Sequence, residues 1–479
     1  MSLQTTHAAM PEVRRRIAGF GLLIALYLLI VFVIPKPEAV KPEGWRLFGL
    51  FVAAVAGLIA QPIPGGAIVL VAVTIAPIIG GITLAQALSG YADATVWLVM
   101  AAFFISRALI NTGLARRIAL LFVRMFGRST LGVCYALSLS DMTLATIIPS
   151  SGARSGGVIL PIVRSIAELY GSRPGETARL LGSFLMIAVY QCIPISSAMF
   201  FTGQASNPLM AKMAGGSGFE ITWASWFVAG IVPGLCSILL APWLIMKLYP
   251  PEIRRTPEAA EFASRELAVM GPMRRNEWIL AAVFVSVCGM WITSDIHKFD
   301  ITLTALLGSV ALLITNVLTW EDVKSERAGW DIFVWYGGLL MLGKALNETK
   351  VTAEFANGIA AAFGSFGWPL LMAGALLIYF YSHYAFASIT AHVLAMFPPF
   401  LAVLLAKGAP IGLTVFAFAC FANLSAGLTN YGTTPAPMFF AHEYVSLRDW
   451  WKIGLIVSFL NIAIWGTIGF AWWKLLGYW

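Results

Sequence analysis

The chain has 479 residues, of which 59% are hydrophobic and only 11% charged, with a formal net charge of +8. A soluble chain of this size needs about 25% charged residues to keep its surface wet, so the composition excludes a soluble globular protein and points to one immersed in lipid. The positive balance suits basic loops facing an anionic cytoplasmic leaflet, and no nucleic-acid partner is expected.

In chain order, residues 1–16 form a short polar tail ending in Arg14, Arg15 and Arg16, expected in the cytoplasm. The apolar run 17–34 is too long for a signal peptide and lacks a small-residue cleavage site, so it is expected to stay as a first span. Further runs near spanning length lie at 45–62, 65–80, 95–111, 180–203, 222–249, 277–293, 301–317, 330–346, 412–430 and 451–475. Eleven spans are therefore expected. Cys134, Cys192, Cys236, Cys288 and Cys420 all fall in apolar runs without metal or redox spacing, which predicts buried free thiols and no cofactor. The seventeen tryptophans are expected at membrane interfaces.

Basic residues set the orientation. Segment 113–128 carries Arg116, Arg117, Arg124 and Arg128 and no acid, and reads as a cytoplasmic interfacial helix. Its counterpart around 350–365 sets Lys350 against Glu354 and is expected on the other side. The charged, proline-containing linker 250–276, with Arg254, Arg255, Arg265, Arg274 and Arg275, is expected in the cytoplasm as the seam between an amino-terminal half, 17–249, and a carboxy-terminal half, 277–479. An internal amino terminus and eleven spans place the carboxy terminus on the opposite side.

Two stretches do not read as simple spans. Residues about 130–165 are too long for one crossing and are interrupted at Pro149-Ser150-Ser151-Gly152; residues about 367–406 are broken near Ser382-His383. Each reads as a re-entrant hairpin lining a protein or water cavity, because an unpaired backbone turn cannot face lipid. The span after each hairpin is also broken. One, about 180–214, is interrupted at Pro194 to Ser197 and again from Thr202 to Pro208; the other, about 412–443, at Asn423 to Ser425 and again from Thr429 to Pro437.

These features recur. An offset of 238 carries Ser150, Ala153 and Pro161 onto Ser388, Ala391 and Pro399; one of 237 carries Arg107 and Thr112 onto Lys344 and Thr349; one of 229 carries Ser196, Gly203 and Pro208 onto Ser425, Gly432 and Pro437. The fold class expected is an all-α polytopic membrane protein with about eleven transmembrane helices and two re-entrant hairpins in two inverted-topology repeats. Matching breaks in two inverted halves are the sequence mark of a transporter's binding site, since half-helix amino ends attract anions while unwound carbonyls offer oxygen to cations.

At these residues the chain resembles the divalent-anion:sodium symporter family, in particular the branch of citrate/succinate and tartrate/succinate antiporters and plastid 2-oxoglutarate/malate translocators. Ser388-Ile389-Thr390-Ala391-His392 and the stretch LTNYGTTPAPMFF match that branch closely, and the likeness covers most of the chain. In the first hairpin Ser150, Ala153 and Arg154 are kept, while Ser151 stands where the family has Asn and Gly152 where it has Thr. The resemblance implies a homodimer with a scaffold part and a mobile, elevator-like transport part, moving di- or tricarboxylates with sodium or by exchange. The departure removes an amide and a hydroxyl that could orient a carboxylate or a hard cation.

Arg154 is expected either to hold a substrate carboxylate with two charge-assisted hydrogen bonds, or to snorkel or pair with Asp141 in its own hairpin. Ser150, Ser388 and Thr390 offer hydroxyls to substrate or cap the broken helices. Ser151 and Gly152 complete the first tip. His392 reads as a substrate donor or a packing histidine. Asn207, Thr433 and Thr434 sit in the unwound breaks, and a coupling sodium, if used, is expected near Ser150, Gly203, Thr390 and Gly432. Arg107 and Lys344 read as helix-end anchors, with Lys344 alternatively supplying fixed positive charge near the cavity. The expected partners are small carboxylate anions, membrane lipids and a second copy of the chain, in the inner (cytoplasmic) membrane. Sulfate is the rival cargo. A passive channel fits less well, because two closed tips imply alternating access. A membrane enzyme lacks support, since no His-Glu-x-x-His, Gly-x-Ser-x-Gly or paired intramembrane aspartates occur.

Overall fold

The computed structural model describes residues 6–80, 82–351, 354, 358 and 366–479. All eleven predicted runs are helical: Thr6–Leu28 with a π turn at Leu29–Val33, Pro42–Ala60, Gly65–Ile79, Ala94–Thr112, Gly182–Met199, Trp223–Leu248, Arg275–Ile292, Ile301–Ile314, Arg327–Glu348, Ile411–Leu424, and Leu447–Ile464 continuing through Trp465–Gly469 to Phe470–Leu475. Among the described residues, eight helical stretches are long and apolar enough to cross a membrane. One of the eight is Ile389–Ala406, the second arm of the second predicted hairpin, whereas Gly65–Ile79 and Ile301–Ile314 are shorter apolar helices. The architecture is that of a helical, multi-span membrane protein.

Both predicted hairpins are helix–turn–helix units. The first runs Thr130–Ala145, a turn at 146–150, the short helix Ser151–Arg154, a π turn at Ser155–Ile159 and the helix Leu160–Leu169. In the second, Trp368–Ser382 leads through one tight turn, His383–Ala385, to Ile389–Ala406. The region predicted at 350–365 to mirror the basic helix falls largely outside the described residues.

The chain divides into two compact units, one made of 1–100, 327–371 and 394–408, the other of 101–326, 372–393 and 409–479. In the first, Gly65–Ile79 packs on Arg327–Glu348 beside an aromatic cluster in which the Phe333 ring centroid lies 5.5 Å from that of Tyr91 and 5.3 Å from that of Trp97. The second has as its core Gly182–Met199, every residue of which is buried, against Thr130–Ala145, Trp223–Leu248 and Ile411–Leu424. A helix apolar all round belongs in a core. The two breaks follow directly from two such helices, so their freed backbone groups open into protein rather than lipid.

Two sequence expectations are corrected here. Trp226, Trp291, Trp450, Trp465 and Trp473 are core residues, not interfacial ones. Three of them show how burial is tolerated: the indole N–H of Trp226 donates to Ala198 O (2.9 Å), that of Trp473 to Ala229 O (2.9 Å) and that of Trp465 to Ser237 Oγ (3.0 Å). The five thiols are free, but Cys236 and Cys288 are half-buried rather than buried, because their helices Trp223–Leu248 and Arg275–Ile292 turn part of their surface outward.

The basic helix Leu114–Phe126 is tied down by ion pairs. Arg117 meets Glu277 through Nε (2.8 Å) and Nη2 (3.1 Å) and donates to Gly271 O (2.9 Å), while Arg116 meets Glu266 at 2.6 Å. Arg107 lies 3.8 Å from Glu326 and Lys344 3.9 Å from Glu348. In the linker, a hydrogen bond from the Tyr170 hydroxyl holds the Glu258 carboxyl below its usual range. The stabilisation this adds is full above the ordinary carboxylate range and is lost as pH falls through the lowered value. Arg117 and Glu277 are 8% and 2% exposed, so removing one partner strands a buried charge. Glu277→Ala is expected to destabilise the fold by about 3 kcal/mol, read as a lowered thermal unfolding midpoint in detergent.

Candidate functional site

The first break begins where Gly182–Met199 ends at Phe200, whose extended backbone (φ −121°, ψ 138°) leaves the helical path. The chain turns through 200–205 and resumes as Ser206–Gly215. Gly203 makes the turn possible. A Cβ there would lie 2.6 Å from Ser197 O and 2.9 Å from Ser197 Cα, so only glycine lets the turn close on the helix it has left. The buried Asn207 donates from Nδ2 to the carbonyls of Ser197 and Phe200, both at 2.9 Å, and so satisfies acceptors that the break frees.

The tip of the first hairpin is built against this break. Ser150 Oγ accepts from Ala153 N (3.1 Å) as an N-cap, and Ser151 N faces Gln204 Oε1 at 3.4 Å. Arg154 is wholly buried, and its planar fork is occupied. Nε donates to Asp141 Oδ1 (2.8 Å), Nη1 to both Ile148 O and Gly203 O (2.7 Å each), and Nη2 to Ser197 Oγ (2.9 Å). The second oxygen of Asp141 accepts from the Ser196 hydroxyl. One guanidinium thus joins the first arm, the tip and the break. A lysine, with its point charge, could not span this set.

The second repeat solves the same problem with a different residue. Ser388 Oγ accepts from Ala391 N at 3.4 Å, as Ser150 does from Ala153. The sequence counterpart of Arg154 is His392, yet the carbonyl of Gly432, the counterpart of Gly203, is taken by His383 Nε2 at 2.7 Å. His392 instead bridges the two arms of its own hairpin, with Nε2 2.8 Å from Tyr379 O and 3.1 Å from Ser382 Oγ. The repeats meet at several points, among them Tyr190 Oη donating to Ala426 O (2.7 Å) and Gln191 Nε2 to Gly427 O (2.9 Å). Asn423 Nδ2 donates to Asn207 Oδ1 (2.8 Å), and Gly152 abuts Thr434, whose Cγ2 would lie 2.7 Å from any Cβ at 152. Ser206 Oγ, Thr429 Oγ1 and Asn423 Oδ1 are buried here and have no hydrogen-bond partner among the described residues. Among the described residues, no cluster of three His, Cys, Asp or Glu side chains suited to a metal ion occurs.

The family described as the sodium:sulfate symporter transmembrane region matches residues 16–479. The chain belongs to this divalent-anion:sodium symporter family. Among curated relatives, a putative malate transporter of Bacillus subtilis is 44% identical over 94% of this chain and 95% of its own length. A chloroplastic dicarboxylate transporter of Arabidopsis thaliana is 40% identical over 94% and 82%. The inner membrane protein YbhI of Escherichia coli is 34% identical over 96% and 97%. The solved structure of the YdaH transporter of Alcanivorax borkumensis shares the fold, with a TM-score of 0.51 at 13% identity over 98% of each chain.

Of the side chains singled out in the sequence, Arg154, Asn207 and His392 are fully buried, and Ser151 and Thr433 are nearly so. Ser150, Ser388 and Thr390 are half-buried at the tips, and Thr434 is exposed. Arg154, Ser150, Ser151, Gly152, Gly203, Asn207 and Thr434 are brought together by the contacts above, whereas Ser388 and His392 make their recorded bonds within the second hairpin. Ser197, Gln204, His383 and Asn423 also belong to the framework, and their position inside or beside the breaks was the signal for them. The contact at Gly152 gives a physical reason for the family's threonine being absent from this position. Gly152→Ala is expected to impair transport by collision with Thr434 Cγ2, and Thr434→Ser in the same chain, which removes that methyl and keeps the hydroxyl, to restore it, a coupling of about 1 kcal/mol in a double-mutant cycle of substrate binding.

Proposed function

We propose that this protein is a secondary transporter exchanging di- or tricarboxylate anions across the cytoplasmic membrane, without a sodium requirement. The carboxylate cargo is supported by the names of the malate and dicarboxylate transporters to which the chain is 44% and 40% identical; sulfate, named in the family description, is the alternative cargo. In this reading the amino terminus is cytoplasmic, eleven helices span, the two hairpins enter from opposite sides, and a dimer carries two mobile elevator parts.

The observation that carries the coupling mechanism is the set of bonds made by Arg154. Carbonyls released by a broken helix are the oxygens a coupling sodium takes in transporters of inverted-repeat design. Here Arg154 already donates to the carbonyls of Ile148 and Gly203, and His383 holds that of Gly432. Fixed donors stand in the place of an exchangeable cation. Substrate carboxylates are then held by the tip hydroxyls of Ser150, Ser388, Thr390 and Thr434 and by the positive amino ends of the half-helices. Ser151, Asn207, Thr433 and His392 keep that frame in shape. The Arg154–Asp141 pair is itself neutral, so the empty site presents uncompensated helix dipoles to a low-dielectric path. A dianion compensates them, so the loaded carrier crosses more readily than the empty one, and this is exchange.

In reconstituted vesicles, labelled malate is expected to enter only those preloaded with unlabelled dicarboxylate, at equal rates in sodium and potassium. Sodium-driven accumulation in empty vesicles would overturn this reading.

A further inference from the structure

The linker 250–276 does not hang free between the halves. It is bonded in turn to each segment at the base of the first hairpin. Beside the loop that precedes the first broken helix, Arg179 Nη2 donates to Pro250 O (2.8 Å), Glu252 N to Arg179 O (3.1 Å) and Ile253 N to Leu180 O (2.9 Å). At the first foot of the hairpin, Thr130 N donates to Arg254 O (3.1 Å) and Thr130 Oγ1 to Ile253 O (2.6 Å). Thr256 N donates to Arg128 O (2.9 Å) and Thr256 Oγ1 to Gly127 O (2.8 Å). Ser129 and Arg255 form an antiparallel bridge within this group. At the second foot, the Tyr170 hydroxyl donates to Glu258 and accepts from Ala259 N (3.2 Å). The helix Pro257–Met270 then runs along the basic helix, where Glu266 meets Arg116 and Gly271 O accepts from Arg117.

These contacts are specific rather than incidental. Thr130 and Thr256 are completely buried, and each uses both its hydroxyl and its backbone N–H on the other strand of the contact. A flexible connection between moving parts would be polar, solvated and free of such bonds. Both feet of the hairpin and the basic helix are instead gripped by one continuous segment.

We infer that residues 250–271 form a strap that binds the two feet of the first hairpin to each other and to the basic helix, and that strap and hairpin move as one body during transport. The strap follows from the contacts alone; its movement with the hairpin rests on the transport reading above. Its effect is to fix the base of the bracket whose tip Arg154 fixes, so that the tip cannot be displaced by splaying of the feet. The hairpin then opens or closes by moving as a block.

The test introduces Ser129→Cys together with Arg255→Cys. Directly opposed antiparallel residues lie about 4.5–5.5 Å apart, within disulfide reach, and the exposed position 255 is open to oxidant. Malate exchange by the oxidised protein is compared with that of the same double variant reduced, which cancels the loss of the Ser129 cap. With the 129–255 linkage confirmed by peptide mass spectrometry, equal rates are expected. A fall of about tenfold or more on oxidation would show that strap and hairpin must part in the cycle, and would overturn the proposal. Hydrogen exchange on the purified wild-type chain decides the strap independently of transport. The amides of Thr130, Ile253 and Thr256 are expected to exchange at least about a hundredfold more slowly than in an unstructured chain, with or without malate. Rapid exchange at these amides would remove the strap and leave the transport reading standing; failure of every carboxylate to exchange would remove the transport reading while these amides still decide the strap.

Discussion

A helix broken inside a membrane releases carbonyl and N–H groups that lipid cannot satisfy, each at a cost of several kcal/mol. The protein contains two such breaks, at 200–205 and 428–434, and much of the second unit is arranged around satisfying them. Asn207 takes two of the carbonyls, Arg154 takes Gly203, and His383 takes Gly432. The all-buried helix Gly182–Met199 and its counterpart Ile411–Leu424 carry the breaks into the protein core, where such partners can reach them. Beside Asn207, which belongs to the broken span itself, the hairpins supply the donors to Gly203 and Gly432, which explains why hairpin and broken span occur together in each repeat.

Arg154 shows why charge inside a membrane protein needs a full set of partners. Desolvating a guanidinium is costly, and only a close carboxylate together with further acceptors offsets that cost. Asp141, two carbonyls and the Ser197 hydroxyl provide them. The residue is therefore part of the framework that joins the first hairpin to the first break. In our account this is also what sets the coupling, because the oxygens that would hold a mobile cation are already held by a fixed one. The strap at 250–271 fixes the other end of the same hairpin, so its tip and its base are both held in place.

Much of this was legible in the sequence, because the repeat is marked by residues that act locally. Gly203 and Gly432, Pro208 and Pro437, and Ser150 and Ser388 have roles set by their near neighbours, and their spacing located the helix ends seen in the structure. Partners distant in the chain were not legible. Asp141 lies in the same hairpin as Arg154 and was foreseen as one of the alternatives, but Gly203 and Ser197 reach that guanidinium only through the fold. The exchange of roles between His392 and His383 was hidden, since repeat alignment pairs Arg154 with His392 while the turn at His383–Ala385 brings the other ring to the break. Gly152 read as a loss of ligands, and the structure shows instead a contact with Thr434. Interfacial tryptophans and buried cysteines were assigned from composition, which does not say which face of a helix a residue occupies.

The central claim is that Arg154 and His383 occupy the place of a coupling ion. Sodium binding to the purified protein tests it most directly, using radiolabelled sodium at equilibrium with and without malate. The account predicts no saturable sodium binding to the wild-type chain in either condition. Saturable binding that malate strengthens would contradict it, and would assign the buried oxygens of Ser206, Asn423 and Thr429 to an ion.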